Sequence, residues 1–235
     1  DRWEGEIIDR HKNGRLYPKW LTIRVVRQPD RQVAHYVAAF SDISVRKAAE
    51  EKIQYLAHHD ALTGLPNRIL LRDRFEQMYQ RVSRSQRTLA MYFLDLDHFK
   101  RINDTLGHGI GDELLIAATR RLANCLRKSD TISRLGGDEF IILVEGNESI
   151  RFFADVAEKI CRALEAPFEL NGQALTSTGT VGIAVAPVDG TDFDTLMKQA
   201  DMAMYHAKGL GRRSFSLFDA RTNKDAAERL ALTTH

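Results

Sequence analysis

The sequence predicts an α+β fold in which helices cover a mostly antiparallel sheet. Apolar, β-prone runs are joined by the tight-turn pairs Asn13-Gly14, Gly136-Gly137 and Asn171-Gly172, which favour hairpins and therefore antiparallel strands. Between these runs, apolar residues recur at spacings of three and four, which is typical of amphipathic helices. The 235 residues, 43% of them apolar, support one large or two modest domains.

Residues 1–44 predict a three-stranded meander, since turn signals separate three strand-like runs. The runs are Trp3–Arg10, Tyr17–Gln28 and Val33–Phe40. Such a small sheet needs a cover for its apolar face. Residues 45–59 predict a short helix with a seam of Val45, Ala49, Ile53 and Leu56. That seam suits a helix pair, and a plain linker helix remains the alternative.

The rest of the chain alternates helices and strands. We predict helices over Leu65–Val82, Asp112–Arg127, Ser149–Glu165 and Phe193–Lys208. We predict strands over Leu89–Leu94, Thr131–Leu135, Phe140–Val144, Phe168–Leu170 and Gln173–Ala186. The run Leu89–Leu94 is wholly apolar, as expected for a strand buried on both faces.

Two acidic clusters stand next to central strands. Asp95-Leu96-Asp97 closes the buried strand, and Asp138-Glu139 follows the glycine pair. Hard cations prefer carboxylate and carbonyl oxygens, so Asp95 and Asp138 could share Mg²⁺ if the strands are neighbours. A surface hairpin with solvated acids, or acids that merely cap strand ends, is the alternative for each cluster taken alone.

Several long motifs together resemble the GGDEF family of diguanylate cyclases. They are DLDHFKRINDTLGHGIGD at 95–112, GGDEF at 136–140 and ADMAMYHAKGLGR at 200–212, with DALTGLPNR at 60–68 resembling the opening of the domain. The match covers roughly residues 57 to 218. The resemblance implies a palm-like nucleotide-cyclase fold and a reaction that joins two GTP into cyclic di-GMP, releasing two pyrophosphates.

The resemblance also implies roles for individual residues. Asp95, the Leu96 carbonyl and Asp138 would hold Mg²⁺, with Mn²⁺ as a second option, and Asp138 and Glu139 would be the catalytic acids. Asn103 and Asp112 match the positions that read guanine, although Asp112 also suits a helix N-cap.

The same resemblance implies phosphate and inhibitor contacts. The phosphates would meet Lys208, Arg212 and the backbone amides of Phe99 and Lys100. Arg127 and Asp130 match an RxxD site for inhibition by cyclic di-GMP; a helix-end arginine with a following cap is the alternative.

A zinc site that uses His98 and His108 beside Asp95 and Asp97 is a further alternative, and the oxygen-rich cluster favours Mg²⁺ over it.

The resemblance implies catalysis by a homodimer, since each domain would hold one GTP.

The flanking segments predict a four-part organisation. Residues 1–44 resemble the C-terminal part of a PAS sensor domain, residues 45–59 a signalling helix, and residues 60–218 the GGDEF domain. Residues 219–235 resemble the start of a linker helix to an EAL phosphodiesterase domain, which suggests that the chain is a piece of a longer protein.

Composition narrows the remaining function classes. A net charge of +2 implies no broad polyanion surface, so we expect no nucleic-acid partner. No apolar run approaches a membrane span, so we expect a cytoplasmic chain without membrane contact, although a segment elsewhere could anchor the full protein. Cys125 and Cys161 lack disulfide or zinc spacing and are expected to be buried, reduced thiols.

Alternatives to a cyclase are a silent GTP-binding regulatory domain of a GGDEF-EAL phosphodiesterase and a PAS-type dimerisation scaffold.

Overall fold

The computed structural model describes residues 1–85, 87–146 and 150–219. The chain divides into two compact units, Asp1–Ala57 and His58–His235. The predicted linker helix over 219–235 lies outside the described residues except for Asp219. Within the described residues no helix has the length and apolar character needed to cross a membrane.

The first unit is an antiparallel sheet in the order β1-β2-β3, followed by a helix. Its elements are β1 (Arg2–Arg10), β2 (Leu16–Arg27), β3 (Val33–Asp42) and α1 (Ser44–His58). The three predicted strands are confirmed. Trp3 pairs with Ile23 and Leu21 with Phe40, so the four side chains share one face. That face stays accessible in this unit, since Trp3 is 48% and Phe40 63% exposed.

The second unit contains a five-stranded sheet and five helices in its described part. The helices are α2 (Arg68–Ser85), α3 (Phe99–Leu106), α4 (His108–Cys125), α5 (Ile150–Glu165) and α6 (Phe193–Gly209). The strands are β4 (Thr88–Leu96), β5 (Thr131–Gly136), β6 (Glu139–Gly146), β7 (Phe168–Leu170), β8 (Gln173–Leu175), β9 (Gly179–Ala186) and β10 (Phe215–Leu217). The main sheet has the order β10-β9-β4-β6-β5, and β7 forms a two-stranded sheet with β8.

All pairs in the main sheet are antiparallel except β10 with β9, so the predicted α+β class is confirmed. The central strand β4 is buried on both faces. Tyr92 and Leu94 point into a core with α4 and α5, whereas Met91 and Phe93 point into a core with α2 and α6. This alternation explains why the sequence of β4 is continuously apolar.

Because Gly182 has no side chain, the backbone of α6 can pack directly against β9. A Cβ atom built on Gly182 would lie 2.0 Å from the Ala200 carbonyl oxygen and 2.1 Å from the Met204 amide nitrogen. The helix backbone therefore lies directly on the strand, and only glycine fits at this position.

The helix predictions need correction at α2, α3 and α4. α2 begins at Arg68, not Leu65, because the Asn67 side chain accepts hydrogen bonds from the Ile69 and Leu70 amides and caps the helix. α4 begins at His108 and ends at Cys125, so Asp112 lies inside its second turn and is not an N-cap. The short helix α3 was not predicted.

Two strand predictions and one burial prediction also need correction. The predicted strand Gln173–Ala186 is split into β8 and β9, with residues 176–178 outside both. Gly136 pairs with Glu139, so the two-residue turn is Gly137-Asp138 rather than the glycine pair. A register irregularity between Arg134 and Gly136 causes this shift by one residue. Cys161 is buried but Cys125 is only half-buried.

Candidate active site

The two acidic clusters meet where β4 ends beside the β5–β6 hairpin. Asp95 lies opposite Glu139 in the ladder between β4 and β6. The Leu96 amide donates to the Asp138 carbonyl oxygen at 3.3 Å. Asp138 itself stands in the hairpin turn, and Gly137 before it has a φ of 52°. The structure therefore brings the predicted metal ligands and both predicted catalytic acids to one edge of the sheet.

The carboxylates of this cluster lie close enough to disfavour one another's charge. Burial raises the pKa of Asp138, and the negative charge of Asp95 raises it further. Burial, Asp138, Asp95 and Asp201 all raise the pKa of Glu139. Partly buried acids of like charge are stabilised by a cation.

Lys208 supplies a cation at this cluster. It lies in the last turn of α6, and its Nζ is 2.8 Å from Asp95 Oδ1. The Lys208 charge also lowers the pKa values of Asp138 and Glu139, against the larger effect of burial. A predicted phosphate contact and a predicted metal ligand are thus direct partners.

The predicted backbone contacts to phosphate lie at the N-terminus of α3. Phe99 and Lys100 are its first two residues, and the preceding His98 adopts a left-handed conformation with a φ of 63°. Among the residues that the structure describes, no side chain caps this end. The first amides of a helix have no intrahelical acceptor, so they can bind an anion.

Asn103 and Asp112 lie on neighbouring helices, α3 and α4. Asn103 Oδ1 is buried and has no hydrogen-bond partner among the described residues. A Cβ on Gly111 would lie only 1.8 Å from that oxygen, so Gly111 leaves the space that the amide needs. Asp112, the next residue, is exposed. A polar amide beside an accessible carboxylate can present donors and an acceptor to a base edge.

Arg212 follows α6 in the loop that leads to β10. Its φ is 61°, and that of Arg213 is 52°. Arg212 Nε lies 3.9 Å from Oδ1 of the buried Asp97. The loop thus places a half-exposed arginine beside the end of β4.

A buried arginine, Arg134, links the hairpin turn to Asp60 through hydrogen bonds. Arg134 donates to the Gly137 carbonyl oxygen through Nε at 2.9 Å and Nη2 at 2.7 Å. Its Nη1 donates to both carboxylate oxygens of Asp60, at 2.9 and 3.1 Å. Burial opposes the charge of Asp60, but hydrogen bonds from Thr63 and the charge of Arg134 bring its pKa below the usual value.

Arg127 and Asp130 form a turn at the opposite end of β5 from the hairpin. The Arg127 amide donates to Asp130 Oδ2 at 2.8 Å, and the Asp130 amide donates to the Arg127 carbonyl oxygen at 3.0 Å. The Arg127 guanidinium lies 5.4 Å from the centre of the Phe152 ring. Burial raises the pKa of Asp130. The predicted inhibitor site is therefore separate from the acidic cluster.

The donor set fits a hard cation that completes its coordination with other ligands. The described residues contain no group of three or more histidine, cysteine, aspartate or glutamate side chains that could hold a metal. Asp95, Asp138 and the Leu96 carbonyl provide oxygen donors only. Such a partial oxygen set suits Mg²⁺, which usually keeps waters and substrate phosphates as ligands.

Sequence reasoning missed two sets of long-range contacts at this site. Arg134 and Asp60 are 74 positions apart, and only the fold brings them together. Asp97 was noted in its cluster, but its partners Thr178 and Thr180 lie more than eighty positions away. The sequence offers two weak signals for these contacts. One is a charged residue, Arg134, two positions before the Gly-Gly pair, and the other is the spacing of Asp95 and Asp97.

Comparison with known proteins gives one consistent family. The family described as "Diguanylate cyclase, GGDEF domain" matches residues 57–214. The chain is 44% identical over 80% of its length to the bifunctional diguanylate cyclase/cyclic di-GMP phosphodiesterase MucR of Pseudomonas aeruginosa, covering 27% of that protein. It is 40% identical over 69% of its length to the diguanylate cyclase TpbB of the same species, covering 38% of it. The chain spans about a quarter of the length of the first curated relatives that it matches.

Solved structures agree with this assignment. The GGDEF domain of TpbB from Pseudomonas aeruginosa has a TM-score of 0.70 at 37% identity, over 72% of this chain and 99% of that one. A sensory box/GGDEF family protein from Caulobacter crescentus has a TM-score of 0.64 at 40% identity, over 66% of this chain and 99% of that one. The chain therefore belongs to the GGDEF family of diguanylate cyclases.

Proposed function

We propose that this chain is an active, Mg²⁺-dependent diguanylate cyclase module. The observation that carries the proposal is the meeting of Asp95, Asp138 and Lys208 at one end of the sheet, where Lys208 pairs with Asp95 and the acids together retain a negative charge. Two GTP molecules would give one cyclic di-GMP and two pyrophosphates. The 3′-oxygen of each GTP bonds to the α-phosphorus of the other, and the bond to pyrophosphate breaks.

The residues of the chain would position and neutralise the substrate. Asn103 and Asp112 would bind the guanine edge, where the carboxylate accepts from the N1 and N2 donors. The amides of Phe99 and Lys100, with Lys208 and Arg212, would hold the triphosphate. Catalysis of phosphoryl transfer consists mostly of such positioning and charge neutralisation.

Asp95, Asp138 and the Leu96 carbonyl would hold Mg²⁺, with Mn²⁺ as a substitute. When bound, the ion would supply Lewis-acid chemistry that lowers the pKa of the attacking hydroxyl and screens phosphate charge. Glu139 would accept the proton of the attacking hydroxyl, and burial with the neighbouring carboxylates raises its pKa, which makes it a stronger base.

The proposal includes assembly and feedback. One domain would bind one GTP, so two copies must face each other. Helix α1 supports pairing, since Val45 is 85% and Ile53 68% exposed on its seam. Arg127 and Asp130 would bind the product and inhibit turnover.

The domain organisation is also a proposal. It comprises a partial PAS domain over 1–44, a signalling helix over 45–59, the cyclase domain over 60–218 and a linker from 219 onwards. The bifunctional name of MucR supports a following phosphodiesterase domain. Reading the parent gene beyond His235 tests this, and a stop codon there contradicts it.

A silent GTP-binding domain is the second candidate. Relatives at 34% identity are named cyclic di-GMP phosphodiesterases, namely NbdA of Pseudomonas aeruginosa and PdeR of Escherichia coli. Incubation with GTP and Mg²⁺ separates the candidates. Cyclic di-GMP that forms with the wild-type chain and not with Asp138→Ala supports the enzyme. GTP binding without product supports the silent domain, and a dimer that binds neither nucleotide indicates a scaffold.

A further inference from the structure

Asp97 is a buried carboxylate that joins three segments of the candidate site. It is 3% exposed, and it lies two residues after Asp95. Its Oδ2 accepts from the Thr178 hydroxyl at 2.6 Å and its Oδ1 from the Thr180 hydroxyl at 2.8 Å. Its amide donates to the Thr178 carbonyl oxygen at 2.8 Å. The carboxylate thus fixes the end of β4 against the start of β9.

The same carboxylate also contacts the loop after α6. The Arg213 amide donates to Asp97 Oδ2 at 3.3 Å, and Arg212 Nε lies 3.9 Å from Oδ1. Both arginines have left-handed backbones, with φ of 61° and 52°. Consecutive residues other than glycine adopt that conformation at a cost in free energy, so surrounding contacts must hold them there.

A cavity of about 470 Å³ opens beside this contact, lined by Asp97 and by three arginines, Arg101, Arg212 and Arg213. The Arg212 side chain is 47% exposed, so an anionic ligand can reach it. Asp97 itself is shielded, with 1% of its side chain exposed. A buried acid that holds an accessible arginine can orient that arginine without touching the ligand.

We propose that Asp97 is a positioning residue that sets Arg212 and its left-handed loop for the β- and γ-phosphates of the nucleotide. This inference rests on the proposed function, in which Arg212 binds phosphate. The simpler reading is that Asp97 only ties β4 to β9. The two readings differ in what happens when Arg212 is absent.

A double-mutant cycle on binding separates them. The probe is 3′-deoxyguanosine triphosphate with Mg²⁺, which lacks the attacking hydroxyl and binds without reacting. We expect Asp97→Asn and Arg212→Ala each to weaken its binding about tenfold, the equivalent of one charge-assisted hydrogen bond. The double variant should bind about as weakly as Arg212→Ala alone. A full further loss in the double variant overturns the proposal.

A shorter probe gives a second readout. The analogue 3′-deoxyguanosine monophosphate lacks the β- and γ-phosphates, so its affinity should be unchanged by Asp97→Asn. Equal weakening of both probes shows that Asp97 acts on the fold as a whole and overturns the proposal. If Asp97→Asn does not fold, Thr180→Val replaces it, because it removes a donor to the oxygen that faces Arg212. Thr105→Val, on the wall of the same cavity, is the matched control and should bind both probes normally.

The outcomes also distinguish this inference from the proposed function. If the wild-type chain binds the triphosphate probe but makes no cyclic di-GMP from GTP, the cyclase proposal fails and the cycle still decides the role of Asp97. If it makes product and the cycle is additive, only the inference fails. If it binds no triphosphate, both are overturned.

Discussion

Lys208 and Asp95 are direct partners, with 2.8 Å between Nζ and Oδ1. One belongs to the last turn of α6 and the other to the end of β4. The lysine therefore neutralises the carboxylate that the proposed metal needs. Under the proposed function, a metal ion and the Lys208 ammonium would compete for Asp95 until a phosphate group binds the lysine.

We predict that Lys208→Met raises the affinity for Mn²⁺ in the absence of nucleotide and lowers the affinity for GTP. The first effect follows from removing the competing ammonium, and we expect it to be about threefold to tenfold. Titration of Mn²⁺ by electron paramagnetic resonance measures it. Lys198→Met, an exposed change on the same helix, is the control. Equal Mn²⁺ affinity in Lys208→Met and wild type contradicts the competition.

We predict that Asp138→Ala or Asp95→Ala abolishes turnover, because the metal loses an anionic ligand. GTP binding should survive partly through Asn103, Asp112 and the remaining phosphate contacts. Initial rates with Mg²⁺ and equilibrium binding of GTP measure the two effects separately. Near-wild-type turnover in either variant would sink the metal assignment.

We predict that Asp138→Asn stabilises the metal-free chain near neutral pH. Burial and Asp95 raise the pKa of Asp138. A raised pKa in the folded state means that the stability contributed by the protonated acid is lost as the pH rises through that pKa. The amide avoids this loss, so the melting temperature should increase by roughly 1–3 °C. The difference should vanish below pH 4, near the ordinary pKa of aspartate. A difference that is independent of pH points to another cause.

We predict that Arg127→Ala leaves the initial rate intact and weakens inhibition by added cyclic di-GMP. Arginine binds phosphate with two parallel hydrogen bonds, so the loss should be roughly 1.5–3 kcal/mol, or tenfold or more in the inhibition constant. Arg120→Ala, an exposed change on α4, is the control. An unchanged inhibition constant in Arg127→Ala rejects the site.

We predict that specific activity rises with protein concentration and falls in the double variant Val45→Glu/Ile53→Glu. The exposed seam of α1 would pair two copies, and glutamates there would repel each other. Sedimentation and initial rates should change together, whereas Glu51→Lys, off the seam, should affect both less. A constant specific activity in a sample that stays monomeric contradicts the need for a dimer.

Strong local patterns made the core of the fold predictable. β4 and β6 read as buried strands, because continuous apolar runs bounded by acids and glycines have few other interpretations. α3 was missed because its eight residues are mostly polar and only Phe99 and Ile102 are buried, so the helical apolar pattern is short. The start of α4 was placed too late because Gly109 and Gly111 are poor helix formers, although packing against Asn103 requires the second of them.

The candidate site was predictable only where its residues are close in sequence or belong to a motif. Asp95, Asp138 and Lys208 fall in motifs, but their contacts depend on strand pairing and on the path of α6. The clamp of Arg134 on Asp60 joins residues 74 positions apart. Such long-range partners have no local periodicity, so they can be read only from the folded chain.

The direct backbone contact at Gly182 fixes the spacing between α6 and β9, and with it the position of the helix end that carries Lys208. Met204, which Gly182 meets, is one helical turn before Lys208 on α6. Because no side chain lies between helix and strand there, no rotamer change can adjust their spacing. The distance between the backbones of Lys208 and Asp95 therefore depends on the direct contact of helix and strand. A methyl group added at position 182 would push away the end of α6 that carries Lys208, although it touches no residue of the site.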